Sequence, residues 1–447
     1  MRLTTALDLV SSHATPEPFD DFRKTLPPAW IEKALEVTGT ASIRNRRLPA
    51  PDVVWLCIGM GMYANRPIEN IVDFLHLGLP DAQGRLIAPN AIPKARQRLN
   101  EDPMRWLFEK IGETWGLASA KRHGWRGLSV LGVDGTTKAV PDTVENRTYF
   151  GGPTGKRGPS GYPLARIVAL MALRSHKLVG VDFGPYKESE LIYARRLWPL
   201  VPNDSLTVLD RLFLDAKTLI PLARDGLNRH WLTRAKSTTV MRVVKKLASN
   251  DHLVELNISA AARKADPTLP ERWIVRAIKY KRPGFKKETL LTSLLDPEAF
   301  PAAEVVDMYH ERWELELGYD EIKTEMLERK ETLRSQTVGA ITQELYGLFI
   351  AYNLIRHRME RVAQEVDVEP TRISFVGAMR EVRDEWGWLA IIKAGAIPGK
   401  LEELDLRLRR LILPPRRSRT YRRAVKVKMS KFPRNRRTAL STEKALK

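Results

Sequence analysis

Apolar positions change period along the chain, and the changes divide it. Up to about residue 122 they recur at helical spacing. AWIEKALEVTG (29–39) reads as a helix that Gly39 ends. VVWLCIGMGMY (53–63) follows a Pro-marked break, and IENIVDFLHLGL (68–79) and IPKARQRLNEDPMRWLFEKIGETW (92–115) continue the helical pattern. From about residue 126 the runs shorten and gain β-branched residues. GLSVLGVDGTTKAVPD (127–142) predicts a hairpin turning at Asp134–Gly135. RIVALMALRS and KLVGVDFGPY read as strands, ELIYARRLWPLV as a helix, and SLTVLD (205–210) as a strand ending on Asp210. A helix over Asp215 to Arg224 and the strand HWLTRAK complete the order three strands, helix, strand, helix, strand. That order predicts a mixed α/β sheet.

Between 238 and 290 four short β-like runs, VMRVVKKLA, HLVELNIS, RWIVRAIKYK and TLLTSLL, are separated by Asn, Asp, Pro and Gly. They read as a β-rich insertion. Helical spacing returns from Ala303 and holds through most of 340–412. The division expected is 1–122 helical, 123–237 first part of the α/β domain, 238–290 insertion, 291–340 second part, and 341–447 helical with a tail.

Charge changes this picture. The 447 residues carry 74 Lys+Arg against 53 Asp+Glu, a net +21. Such an excess suits a polyanion partner, whose counterions it displaces. From Pro414 to Lys447 there are 13 basic residues and one acid, a solvated tail suited to phosphates. Further basic clusters stand at Arg44, Arg46 and Arg47 and at Lys94, Arg96 and Arg98, on helices that suit duplex binding or ordinary solvated faces. A basic membrane-surface protein is the competing class, but neither terminus carries a lipidation motif or a basic amphipathic helix. No apolar run approaches the roughly 18 residues of a membrane span, and the N-terminus lacks a signal-peptide core. Cys57, the single cysteine, reads as a small core residue and excludes an intrachain disulfide or cysteine-based zinc cluster. These features fit a soluble protein of a reducing cytoplasm.

Three acids stand where apolar runs end or a helix carries cations. Asp134 follows SVLGV, Asp210 follows LTVL, and Glu316 lies in YHERWELELGYDEIK (309–323). A carboxylate beside a buried strand needs a counter-charge, and Mg²⁺ is a hard ion bound by few carboxylates, waters and phosphates. Three acids suffice for two ions roughly 4 Å apart, the arrangement for in-line attack on a phosphodiester. One ion then activates the attacking water or hydroxyl, and the other stabilises the leaving 3′ oxygen. Each acid also has an ordinary reading: Asp134 as a turn residue, Asp210 as an N-cap, Glu316 as the i+4 partner of Arg312. Composition and periodicity leave that choice open. GGPTGKRG (151–158) is one residue too short for a phosphate loop and has Arg157 where Ser or Thr belongs.

On one regular helix Tyr309, Arg312, Glu316 and Lys323 would share a sector roughly 60° wide. Their spacing, Y-x2-R-x3-E-x6-K, resembles the YREK signature of IS4-family DDE transposases. VDGTT (133–137) resembles that family's first catalytic-Asp block and LDRLF (209–213) its second. The β-like segment lies where the family inserts a β domain into an RNase H-like fold. The stretch around RNRRLPAPDVVWLCIGMGMYAN and the basic ending also resemble theirs.

The resemblance implies an RNase H-like mixed sheet with a β-rich insertion, flanked by helical N-terminal and C-terminal regions. Asp134, Asp210 and Glu316 would hold Mg²⁺, with Mn²⁺ as a substitute. Tyr309, Arg312 and Lys323 would contact DNA phosphates at the element end. Trp313 is either a base-stacking residue or a core Trp, and Lys138 and Arg211 stand beside the acids as further DNA contacts. The expected activity is cut-and-paste transposition: binding of terminal inverted repeats in duplex DNA, hydrolysis at the ends, and joining of the 3′-OH to target DNA, compatible with a hairpin route. A homodimer on DNA and a place at the bacterial nucleoid are implied too. The alternatives are a transposase-derived DNA-binding protein without strand transfer and a nuclease that cuts but does not join.

Overall fold

The computed structural model describes residues 26–415 apart from 42–46, 79–86, 156–157, 160, 283–285 and 390–396. The basic tail beyond 415, Arg44, Arg46 and Arg157 lie outside the described residues.

Helices α1 (Pro28–Val37), α2 (Ala50–Met62), α3 (Ile68–Phe74), α4 (Ala91–Leu99), α5 (Asp102–Ile111) and α6 (Leu117–Arg122) open the fold. Gly39 leaves α1 at φ 66°, a conformation glycine adopts without strain. Helix α2 is buried nearly all round, Cys57 included. The α/β part comprises β1 (Ser129–Ala139), α7 (Val144–Phe150), β2 (Leu164–Ala172), β3 (Leu178–Pro185), α8 (Glu190–Leu197), β4 (Ser205–Leu209), α9 (Ala216–Arg224) and β5 (Arg229–Arg234). Strands β6 (Arg242–Ala248) and β7 (Asp251–Asn257), helix α10 (Ala260–Ala265), and strands β8 (Arg272–Tyr280) and β9 (Glu288–Thr292) fill the β-rich segment. Helices α11 (Ala302–His310), α12 (Trp313–Asp320), α13 (Val338–Glu365), α14 (Phe375–Leu389) and α15 (Ile397–Arg409) follow.

One nine-stranded sheet runs in the order β3-β2-β1-β4-β5-β9-β8-β7-β6. Strands β3, β2 and β1 are antiparallel, and β4 and β5 run parallel to β1. This is the RNase H-like order. The β-rich segment is no separate sheet: β9 pairs with β5, and β8, β7 and β6 extend the same ladder outward.

Side-chain parity fixes the layers. Val130 on β1 and Ile167, Ala169 and Met171 on β2 join a core with α2, α5 and α13, while Leu131, Val133, Val168 and Leu170 join the core beneath α8. Helix α13 is buried on nearly every side, as a helix at the centre of a molecule must be. It crosses α2 so closely that a Cβ on Gly347 would lie 2.1 Å from the Cys57 carbonyl oxygen.

The structure corrects two sequence expectations here. Asp134–Gly135 forms no hairpin turn: β1 runs unbroken from Ser129 to Ala139, paired with β2 from Leu131 onward. Long-range pairing on a central strand overrides the local Asp-Gly preference. Arg96 belongs to no basic surface patch. It is 6% exposed, and its guanidinium donates to Gln343, Ser335 and the Ala340 carbonyl, tying α4 to the start of α13.

Candidate active site

Strand register brings the first two acids together. The parallel pairing of β1 with β4 runs from Ser129↔Ser205 to Val133↔Leu209. Asp134 and Asp210 are therefore the next residues on two neighbouring strands, which lie about 4.8 Å apart. Past this point β4 ends, and Asp210 caps the single 3₁₀ turn Arg211–Phe213, its Oδ1 accepting from Arg211 N at 2.7 Å. Its backbone is held by Thr233 Oγ1, which donates to its carbonyl at 3.0 Å.

The third acid arrives on the β1 face set by residues 132, 134 and 136. Leu315 packs on Gly132, where a Cβ would lie 2.9 Å from it. One turn before Leu315, Arg312 faces Asp134, its Nη1 3.9 Å from Oδ2. Farther along, Lys323 Nζ donates to Thr136 Oγ1 at 2.9 Å. The stripe read from the sequence thus lies along β1, but not on one regular helix. The chain breaks at Glu311–Arg312 between α11 and α12, and Glu321–Met326 form a π turn. The π turn shifts Lys323 off ideal spacing. Glu321, which opens it, is anchored by Arg356, His176 and the Tyr352 hydroxyl.

Tyr319 is a site residue the sequence reading missed. Asp134 and Ala169 stand opposite each other in β1 and β2. The Tyr319 hydroxyl sits between them, accepting from Ala169 N at 3.1 Å and donating to the Asp134 carbonyl at 2.6 Å. The phenol thereby joins α12 to the backbone of β1. Its i+3 spacing from Glu316 was the available signal. Glu190, at the start of α8, was missed too. It pairs with Arg166 and acts electrostatically on Asp134, and no local motif marks it.

Burial, first, and then the charges of Asp210 and Glu190 push the Asp134 carboxyl up to about 6, against the opposing pull of the Gly135 N–H and Arg312. Arg312 and the Gly135 N–H therefore offset only part of what burial and the two neighbouring carboxylates cost this carboxylate. The donors here are hard oxygens on adjacent strand ends, which fit a divalent ion such as Mg²⁺ or Mn²⁺. Glu316 is differently engaged: its Oε1 accepts from Arg312 Nη2 at 2.7 Å. Among the described residues no three Asp, Glu, His or Cys side chains converge on one point.

The other expected residues are placed as follows. Tyr309 is 6% exposed, and burial raises its phenol. The charges of Arg312, Arg234 and Asp210 act on it. Trp313 is 41% exposed, so it is no core Trp. Arg211 is exposed beside Asp210. Lys138 is buried, with Nζ donating to the Lys330 carbonyl, so its ammonium is directed at the protein backbone.

Comparison with known proteins then decides the family. Residues 16–109 match the N-terminal region of the insertion element 4 transposase, and residues 125–354, more than half of the chain, match the transposase DDE domain. The chain belongs to the IS4 family of DDE transposases. The IS4-family match extends over nearly the whole chain. The transposase InsG of insertion sequence element IS4 from Escherichia coli (strain K12) is 36% identical over 97% of this chain and 98% of its own length. Among solved structures, a piggyBac transposase synaptic complex with hairpin DNA overlaps 88% of this chain and 86% of that one, with a TM-score of 0.46 and 10% identity.

Proposed function

We propose that Asp134, Asp210 and Glu316 are the catalytic acids of this DDE transposase, with Asp134 and Asp210 holding the metal between adjacent strand ends and Glu316 completing the set. As an IS4-family member the chain is a DNA transposase, a divalent-metal enzyme of DNA cleavage and strand transfer. The observation that carries the assignment is the β1–β4 register, which makes Asp134 and Asp210 neighbours; the packing of Leu315 on Gly132 and the reach of Arg312 to Asp134 support Glu316 as the third.

The metal, Mg²⁺ with Mn²⁺ as substitute, supplies Lewis-acid activation and charge neutralisation at the scissile phosphodiester. The protein's own groups do the rest. Asp134 and Asp210 would hold the ion. Arg312 and Lys323, lining β1 on either side of Glu316, bind and neutralise the phosphates of the element end. Tyr309 supports Arg312 from the core side. Trp313 offers an exposed ring for base stacking, and Arg211 adds a phosphate contact beside Asp210. Lys138 acts on the Lys330 segment and not on DNA. The substrate proposed is the terminal inverted repeat, joined afterwards through its 3′-OH to target DNA at the bacterial nucleoid. Two ends cut together call for a homodimer on DNA. Among the described residues no helix is long and apolar enough to cross a membrane.

The test uses the inverted repeats bordering the reading frame. An end-labelled duplex of one repeat is incubated with Mg²⁺, beside an EDTA control and the Asp134→Ala and Glu316→Ala proteins. We expect metal-dependent cleavage at the repeat boundary and a loss of at least about 10³-fold in each variant, with duplex binding retained. Binding without cleavage by the wild-type chain, even with paired ends, would favour the DNA-binding alternative.

A further inference from the structure

Arg312 bonds one of the proposed metal acids and faces another. Its guanidinium, with the side chain 19% exposed, donates to Glu316 Oε1 at 2.7 Å and stands 3.9 Å from Asp134 Oδ2. The break before α12 puts Arg312 at the N-cap of that helix, so the i+4 reach to Glu316 and the approach to β1 come from one side chain. A guanidinium and a divalent cation both require carboxylate oxygens and compete for them. Arg also carries five donors in a planar fork that suits a phosphate bidentately. Glu316 offers it a single oxygen at bonding distance.

From this we propose that Arg312 is a latch on Glu316 that DNA releases: in the free chain the guanidinium holds Glu316, and a DNA phosphate that takes the guanidinium frees the carboxylate for metal. The proposal rests on the assignment of Asp134, Asp210 and Glu316 as metal ligands. Its consequence is that metal and element-end DNA bind cooperatively. By linkage, the factor by which DNA tightens metal binding equals that by which metal tightens DNA binding. Such a site chelates metal weakly until a phosphate is present, which restricts hydrolytic chemistry to bound DNA. Arg312 acts here as a positioning residue for Glu316, in addition to its phosphate contact.

The test reads metal affinity, not activity. Mn²⁺ is titrated into the metal-free full-length protein without DNA, and unbound Mn²⁺ is followed by electron paramagnetic resonance. Four proteins are compared: wild type, Arg312→Gln, Lys323→Gln and Asp134→Asn. Lys323 is the charge control, because it bonds Thr136 and no carboxylate among the site acids. We expect Arg312→Gln to bind Mn²⁺ about tenfold or more tightly than wild type, within the usual range of coupling, and Lys323→Gln to change affinity by less than about threefold. Arg312→Lys, which keeps the charge but loses the fork, should fall between and guards against a folding defect in the Gln variant. Equal gains in Arg312→Gln and Lys323→Gln, or no gain in either Arg312 variant, overturn the latch. Unchanged Mn²⁺ binding in Asp134→Asn overturns instead the assignment of the acids. As a second readout, Ca²⁺ should tighten duplex binding by the wild-type chain about tenfold and leave Arg312→Gln nearly unaffected. Equal Ca²⁺ dependence in the two proteins contradicts the coupling.

Discussion

At the residue scale, Asp134 is stabilised less by the protein around it than a surface aspartate would be. Burial, with Asp210 and Glu190 nearby, raises its carboxyl from 3.8 to about 6. Between those values the folded chain holds a proton that the unfolded chain has released, so stability falls as pH rises through that window. Above it the full cost is present. Asp134→Asn should therefore be more stable than wild type at pH 7 in metal-free buffer, by up to about 3 kcal/mol, and no more stable near pH 3. Thermal melts at the two pH values check this. An Asn variant no more stable at pH 7 than at pH 3, relative to wild type, would mean the desolvation reading is wrong. Catalytic acids often cost stability in this way. The three acids proposed here stand out in the sequence because each interrupts a pattern: a polar residue beside a buried strand, or a carboxylate among cations. Tyr319 offered only its i+3 spacing from Glu316 and Glu190 no signal at all, because packing of α12 and α8 on the sheet brings them to Asp134 from 185 and 56 positions away in the chain.

At the element scale, most strands and helices followed their periodicity, including the four strands of the insertion. The failures have physical causes. The Asp-Gly pair after Val133 carries a turn preference that is local, whereas the ladder to β2 that straightens it is formed by residues about 30 positions on. The break at Glu311–Arg312 and the π turn at Glu321 cannot be seen in a period count. They depend on partners such as Arg356 and His176 from other elements. The α2–α13 crossing is similar: two glycines, Gly61 and Gly347, allow backbone to approach backbone. Gly347→Ala should destabilise the protein by about 1–3 kcal/mol or more, since the atom it meets belongs to a backbone and not to a movable side chain. Urea denaturation checks it, and an unchanged midpoint would show that the crossing relaxes freely.

At the scale of the whole molecule, one core joins the N-terminal helices, one face of the sheet and α13. The insertion prolongs the catalytic sheet. The class of fold was legible, because alternation of short β runs with single helices permits few arrangements. That the insertion is continuous with the sheet was not, since edge pairing of β9 with β5 leaves no mark in either strand's own pattern. The net charge of +21 suits a duplex partner and accounts for affinity more than for chemistry. The chemistry is proposed to rest on the acids at the end of the β1–β4 pairing. The most direct measurement is strand joining by a pre-cleaved element end. A labelled duplex with a free 3′-OH is incubated with a supercoiled plasmid, Mg²⁺, and either the wild-type or the Asp210→Asn protein. The account predicts labelled plasmid with the wild-type chain and none with Asp210→Asn, although both bind the duplex. Joining by Asp210→Asn at the wild-type rate would contradict it.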